Sequence, residues 1–150
     1  MIAITPRPSG RRWGTISFAS TLHLDPVLDL LMVDVPRRWH AEVRLGLQEA
    51  LVNAAKHGNN LDPRKTVLVE FYVVDDQHWW IISDQGSGFT PPSCSQAINC
   101  VEKPLDEQQG CGRGLYILHQ IFDQVNWNHC GTELRLCKQV RNRARLPLVS

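Results

Sequence analysis

Trp39, Val43, Leu47, Ala50 and Ala54 recur at spacings of four, four, three and four. That is the period of one α-helical face, and a strand could not place such a set on one side. The helix begins near Arg37, after the break at Pro36, and Gly58-Asn59-Asn60 is the usual punctuation of a helix C-terminus. A helix with one apolar stripe has to be laid against another layer. Glu49 and Asn53 stand four residues apart on it, one turn or roughly 6 Å along the axis, so a carboxylate and a carboxamide share a face. Asn offers a neutral oxygen ligand and Glu a general base, which would suit a magnesium–phosphate centre. The same pair also occurs on many solvated helix faces.

The partner layer is legible in the rest of the chain. Gly14 to Thr21 alternates, Ile16 and Phe18 against Thr15 and Ser17, and predicts a strand. Asp25-Pro26 predicts a short helix through about Val33, with Asp25 as cap and Pro26 in the first helical position. Thr66 to Val74 reads as a strand with Val67, Val69, Phe71 and Val73 on one face; Asp75 to His78 connects it to a returning strand, Trp79 to Ser83. Trp79 and Trp80 are neighbours on that strand, point to opposite faces, and so put at least one indole in the core. Leu115, Leu118, Phe122 and Val125 give a further helix, and Val125 to Trp127 with Thr132 to Cys137 a closing hairpin around Asn128 to Gly131. Between them Thr90 to Gln109 has no period, and a stretch of that length inside a compact domain marks a functional loop or lid. Strands that follow one another by hairpins, with helices between, predict a two-layer α/β sandwich: a mixed or antiparallel sheet with helices on one face.

The size, 150 residues, suits one domain, expected over residues 14–138 with a lid at about 90–109, between flexible basic tails at 1–13 and 139–150. Sixteen basic against fifteen acidic residues leave a net charge of +1, which gives no reason to expect nucleic acid as a partner. No apolar run is long enough for a bilayer, and the first ten residues lack a signal-peptide core, so no membrane association and a cytoplasmic location are expected. Five cysteines without a Cys-x-x-Cys read as reduced thiols, not as a zinc site or a disulfide framework.

Two glycine-rich stretches complete the candidate chemistry. Asp84-x-Gly86-x-Gly88 follows a strand end, where a carboxylate can accept from the exocyclic amine of adenine and glycines let backbone pass close to a flat base. Taken in isolation, a polar turn after a strand is the favoured reading. Gly110-x-Gly112-x-Gly114 opens a helix, where main-chain N–H groups can approach phosphate; a plain hinge fits too. No Gly-x-x-x-x-Gly-Lys-Ser/Thr is present and the first strand does not lead into a glycine turn, which excludes P-loop and Rossmann readings.

In combination and in this order, EALVNAAKHGN, ISDQGSGF and GCGRGLYIL resemble the N box and the two glycine boxes of the GHKL ATPase superfamily, whose ATP-binding domain has the Bergerat fold. The closer resemblance is to the small bacterial anti-sigma factor serine/threonine kinases, and it covers about Phe18 to Lys138. It implies ATP and Mg²⁺ as cofactors, Asn53 as the metal ligand and Glu49 as the catalytic base. Asp84 would bind the adenine amine beside Gly86 and Gly88, and Gly110, Gly112 and Gly114 would hinge the lid and meet the phosphates, with Arg113 as a further phosphate contact. The implied partners are a STAS-type antagonist, as the phosphorylated protein, and a sigma factor or other regulator, with a homodimer left open. The region around Leu24 to Pro36 is shorter than the family's first helix and puts the partner surface in question more than the pocket. A nucleotide-binding regulatory module without kinase activity is the alternative. The ATP-binding domain of a histidine kinase or of a larger GHKL ATPase fits the length less well. Glu49 separates the first two, because transfer to a hydroxyl needs a base and binding does not.

Overall fold

The computed structural model describes residues 2–5, 13–88 and 113–140. Six strands form one sheet in the order β1-β2-β3-β4-β6-β5, every neighbouring pair antiparallel. They are β1 (Ala3–Thr5), β2 (Trp13–Ala19), β3 (Thr66–Val74), β4 (Gln77–Ser83), β5 (Gln124–Trp127) and β6 (Glu133–Gln139). The helices are α1 (Asp25–Leu31), α2 (His40–Val52) and α3 (Arg113–Ile121). A 3₁₀ turn, Arg37–Trp39, leads into α2, and a π-helical turn, Asn53–Gly58, continues it.

Strand periodicity decides which face is covered. Ile16 and Phe18 of β2, Val67 and Val69 of β3, Trp80 and Ile82 of β4, and Leu134 and Leu136 of β6 are buried together. Against them lie Val27, Leu28 and Leu31 of α1, Val43, Leu47, Ala50 and Leu51 of α2, and Leu115 and Leu118 of α3. This is the expected α/β sandwich, its sheet wholly antiparallel among the described residues. Trp80 takes the core side and meets Phe122 edge-on at 5.8 Å, while Trp79 points to the other face and stacks on Tyr72. Gly46 lets α2 and α3 close up: a Cβ there would stand 2.5 Å from the Phe122 ring. Lys138 is buried on β6, where its ammonium donates to the Ile121 carbonyl at 2.8 Å and lies over the Trp39 ring at 4.2 Å. A cation at the C-terminal end of α3 also complements the helix dipole.

Several local expectations are corrected. Asp25 does not cap α1: Leu24 occupies the N-cap without a side-chain bond, and Asp25 sits in the first turn with its carboxylate 3.4 Å from Arg44. Arg44 also binds Asp29 at 2.8 Å, so these acids tie α1 to α2. Helix α1 stops at Leu31, short of Val33. The hairpin β3–β4 turns on two residues only, Asp75 and Asp76, both with positive φ as a tight hairpin of matching twist requires. His78 therefore belongs to β4, buried and stacked on Trp80 at 5.9 Å. Ala3–Thr5, read in the sequence as part of a tail, forms an edge strand whose Ile4 stands opposite Ile16. Val125 belongs to β5, not to the preceding helix. The expected lid and nearly all of the C-terminal tail lie outside the described residues.

Candidate functional site

The end of α2 brings Glu49 and Asn53 together with Gly114. Glu49 lies in the last turn of α2, Asn53 opens the π-helical turn, and both side chains are half-buried. At the opposite wall stands Gly114 in the first turn of α3. A Cβ on Gly114 would lie 2.9 Å from Glu49 Oε2 and 3.8 Å from Asn53 Nδ2. The third glycine of the second glycine motif thus faces the Glu49–Asn53 pair directly. Gly110, Gly112 and the lid at 90–109 are outside the described residues, as is the side chain of Arg113.

At the far end of the same helical segment, Gly58 is the floor under Asp84. A Cβ on Gly58 would strike the Asp84 carboxylate, with Oδ2 at 2.5 Å and Oδ1 at 2.8 Å. The carboxylate accepts from Gly86 N at 2.9 Å, an Asx-type turn that folds the chain back after β4. Gly86 then passes so close to the Gly58 carbonyl that no side chain fits, and Gly88, at φ +80°, passes the Cys130 carbonyl in the same way. Burial pushes the Asp84 carboxyl above its ordinary range, against the Gly86 hydrogen bond and the charge of Lys65, which pull it down. A partly desolvated carboxylate is suited to receive a hydrogen bond from a ligand amine.

Asn59 and Gly58 were visible in the sequence only as helix punctuation. Asn59 is fully buried; it donates to Ser20 Oγ at 2.8 Å and to the Thr66 carbonyl at 2.9 Å, and accepts from Gln85 N at 2.7 Å. Gly58 does not take the left-handed conformation expected of a helix-ending glycine; Asn60 and Leu61 do, at φ 53° and 55°. What requires glycine at 58 is Asp84. Nothing local could have shown either fact, because the contacts run from the helix end to Asp84 and Gln85 after β4, and for Asn59 also to Ser20 and Thr66. Lys56 and His57 are exposed in the last turn.

A magnesium ion is implied by the resemblance, and the donor set fits one. Asn53 offers one carboxamide oxygen, within the one or two protein oxygens that this ion accepts when phosphate and water complete its shell, and leaves the Glu49 carboxylate beside it as the base. Among the described residues there is no group of three or more His, Cys, Asp or Glu side chains that would make a cage for a different metal. The glycine at 114 keeps open the space in front of both side chains.

Comparison with known proteins identifies the family. The family model described as histidine kinase-like ATPase domain matches residues 29–138. The serine-protein kinase RsbW of Bacillus subtilis is 26% identical over 100 residues, 65% of this chain and 62% of that protein. RsbW of Bacillus licheniformis is 28% identical over 86 residues, 56% and 54% of the two chains. The anti-sigma F factor of Geobacillus kaustophilus is 27% identical over 107 residues, 71% of this chain and 66% of that one. The chain thus spans somewhat more than half the length of the RsbW proteins it matches. No helix among the described residues is long and apolar enough to cross a membrane. On a match that covers most of its length, the chain belongs to the histidine kinase-like ATPase domain family of the GHKL superfamily, and the relatives it resembles include proteins named serine-protein kinase and anti-sigma factor.

Proposed function

We propose that this protein is an ATP- and Mg²⁺-dependent serine/threonine protein kinase that also binds a regulator of the sigma-factor kind. The observation that supports it most is the convergence of Glu49, Asn53 and Gly114 at one end of the helical segment with Asp84 seated on Gly58 at the other. In this reading Asp84 accepts the adenine amine, with Gly86 and Gly88 giving the base room. Asn53 would hold Mg²⁺, which when bound supplies charge neutralisation for the phosphates. Glu49 takes the proton of the attacking hydroxyl, and the N-terminus of α3, entered through Gly110, Gly112, Arg113 and Gly114, receives the phosphates. Phosphoryl transfer asks chiefly for such positioning. The names of the relatives, serine-protein kinase and anti-sigma factor, support a protein hydroxyl as acceptor and a sigma factor as target. The acceptor we infer is a STAS-type antagonist: a phosphate added at a tight interface would drive it off and free the kinase to hold its target.

The test compares wild type with Glu49→Gln, each given labelled ATP, Mg²⁺ and a candidate antagonist. Glu49→Gln keeps shape and loses the base, so ATP and antagonist binding should persist while transfer falls by about 10²–10⁴. Asn53→Ala should weaken Mg²⁺–ATP binding itself. Transfer at the wild-type rate by Glu49→Gln would remove Glu49 from the role. A wild type that binds ATP and antagonist and never transfers phosphate would leave the regulatory binding module, the reading in which the same pocket only holds nucleotide.

A further inference from the structure

Asn59 follows Gly58 directly and is 0 % exposed. A carboxamide buried to that degree is costly unless its donors and its acceptor are matched. Both Nδ2 protons and the Oδ1 oxygen are used, and they reach three separate segments: Ser20 after β2, Thr66 at the start of β3, and Gln85, the residue after Asp84. Gln85 answers with its own side chain, whose Oε1 accepts from Thr66 N at 2.7 Å. Ser20 is fixed in turn by donating to the Lys65 carbonyl at 2.9 Å. The network therefore closes on the Asp84–Gln85 peptide. On its other side Asp84 is held by its own N–H, which donates to the Thr132 carbonyl at 2.9 Å.

We propose that Asn59 is a positioning residue for Asp84: it clamps the Asp84–Gln85 peptide to the helix end, keeps the carboxylate seated on Gly58, and so sets nucleotide affinity and the preference for adenine over guanine. The inference rests on the adenine reading given above. Its physical basis is that a carboxylate aimed at an exocyclic amine works only within hydrogen-bond distance, and only while the peptide that carries it cannot swing. Gly58 sets where the carboxylate rests, and Asn59, the next residue, sets where its backbone rests. One helix end thus holds both parts of the acceptor, and Ser20, an otherwise unremarked strand-end serine, supports the clamp from below.

A purely structural pin between β2, β3 and the helix end is the competing role, and nucleotide selectivity separates the two. The full chain is made as wild type, Asn59→Ala, Asp84→Ala and the double variant. Each is titrated calorimetrically with ATP and with GTP in Mg²⁺, and its thermal midpoint is measured without nucleotide. Loss of a buried hydrogen bond to a positioned group should weaken ATP binding by about tenfold or more in Asn59→Ala. GTP binding should change little, so the ATP:GTP ratio falls. In the Asp84→Ala background, where there is no carboxylate left to position, adding Asn59→Ala should cost less than about twofold in ATP affinity. If Asn59→Ala fails to fold, Ser20→Ala decides: it removes the oxygen that receives Asn59 Nδ2 and donates to the Lys65 carbonyl, leaves Asn59 in place, and should give a smaller loss, on the order of threefold, of the same adenine-selective kind. A folded Asn59→Ala or Ser20→Ala with the wild-type ATP:GTP ratio, or a loss that persists undiminished on top of Asp84→Ala, overturns the proposal and leaves a structural pin. A wild type that does not prefer ATP to GTP, or an Asp84→Ala that binds ATP as wild type does, removes the adenine reading and the proposal with it.

Discussion

Gly58→Ala should leave the protein folded and cost it most of its adenine affinity. The backbone at this position lies outside the left-handed region, which among the described glycines is occupied by Gly88 and Gly131. Alanine therefore adopts it without strain, and the substitution by itself lowers unfolded-state entropy, worth about 0.4–1 kcal/mol in favour of the fold. The conflict falls on one group. The nearest heavy atoms to the new Cβ all belong to the Asp84 carboxylate, with Oδ2 at 2.5 Å. Ordinary contact begins near 3.4 Å, so that oxygen has to retreat by about 0.9 Å. A hydrogen bond of about 2.9 Å to the adenine amine would then open to nearly 4 Å, beyond hydrogen-bond range. A bond to a charged acceptor is worth about 1.5–3 kcal/mol, so ATP affinity should fall by about 10- to 150-fold. The measurement is titration calorimetry with ATP and Mg²⁺, beside a thermal scan of the nucleotide-free protein. A thermal midpoint near that of wild type with the affinity lost is the expected pair of results. A folded Gly58→Ala that binds ATP as tightly as wild type would refute the reasoning, because the carboxylate would then be either elsewhere or irrelevant.

Three further outcomes follow from the same geometry. Gly46→Ala puts a Cβ 2.5 Å from the Phe122 ring and should force α2 and α3 apart; the expected loss is about 1–3 kcal/mol, a thermal midpoint several degrees lower, and an unchanged midpoint would contradict it. Burial holds the Asp84 carboxyl above its ordinary 3.8, so the folded chain binds that proton more readily than the unfolded one and stability falls as pH rises through the window above 3.8. Asp84→Asn removes the charge and keeps an oxygen for Gly86 N–H, so without nucleotide it should melt higher than wild type at neutral pH, with the advantage shrinking towards pH ~4; equal midpoints at neutral pH would contradict this. Cys137 is buried, and burial with Asp123 beside it pushes its thiol up to about 11, whereas Cys130 is exposed. Iodoacetamide at about pH 8 should modify Cys130 in the native protein and Cys137 only after denaturation, as read by peptide mapping; equal labelling of the two would contradict the burial.

What could be read from sequence follows the range of the interaction. Periodicity reports burial of one face, a local property, so α2 and the strands β2, β3, β4 and β6 were legible from their own residues. Where a choice depended on distant partners, local reading failed. Asp25 looks like a cap because Asp before Pro commonly is one, yet Arg44 of α2 draws it into an ion pair. His78 looks like loop because it is polar, yet its ring is buried on Trp80. Three residues, Ala3–Thr5, carry no period at all; what makes them a strand is the unpaired edge of β2. The motif residues Glu49, Asn53, Asp84 and Gly114 were legible as types at spacings, but only the fold shows which of them meet.

The glycines show why the remainder was hidden. In sequence, Gly58, Gly86 and Gly114 read as hinges and turns, a matter of backbone freedom. In the structure none of the three has a positive φ, and each is faced closely by an atom from another part of the chain. Those atoms differ in how far they can yield. At Gly114 the obstacle is the far end of Glu49, a long flexible side chain, so a methyl group there displaces a functional oxygen at little cost to folding. At Gly58 it is a shorter carboxylate with its own hydrogen bond to Gly86, so displacement costs more. At Gly86 it is the backbone carbonyl of Gly58, which cannot yield without moving the helix end. Tolerance to alanine should therefore decline from Gly114 to Gly58 to Gly86, and the damage should pass from function alone to function and fold together. That order comes from which atom stands opposite each glycine, and the spacing of the motifs carries no trace of it.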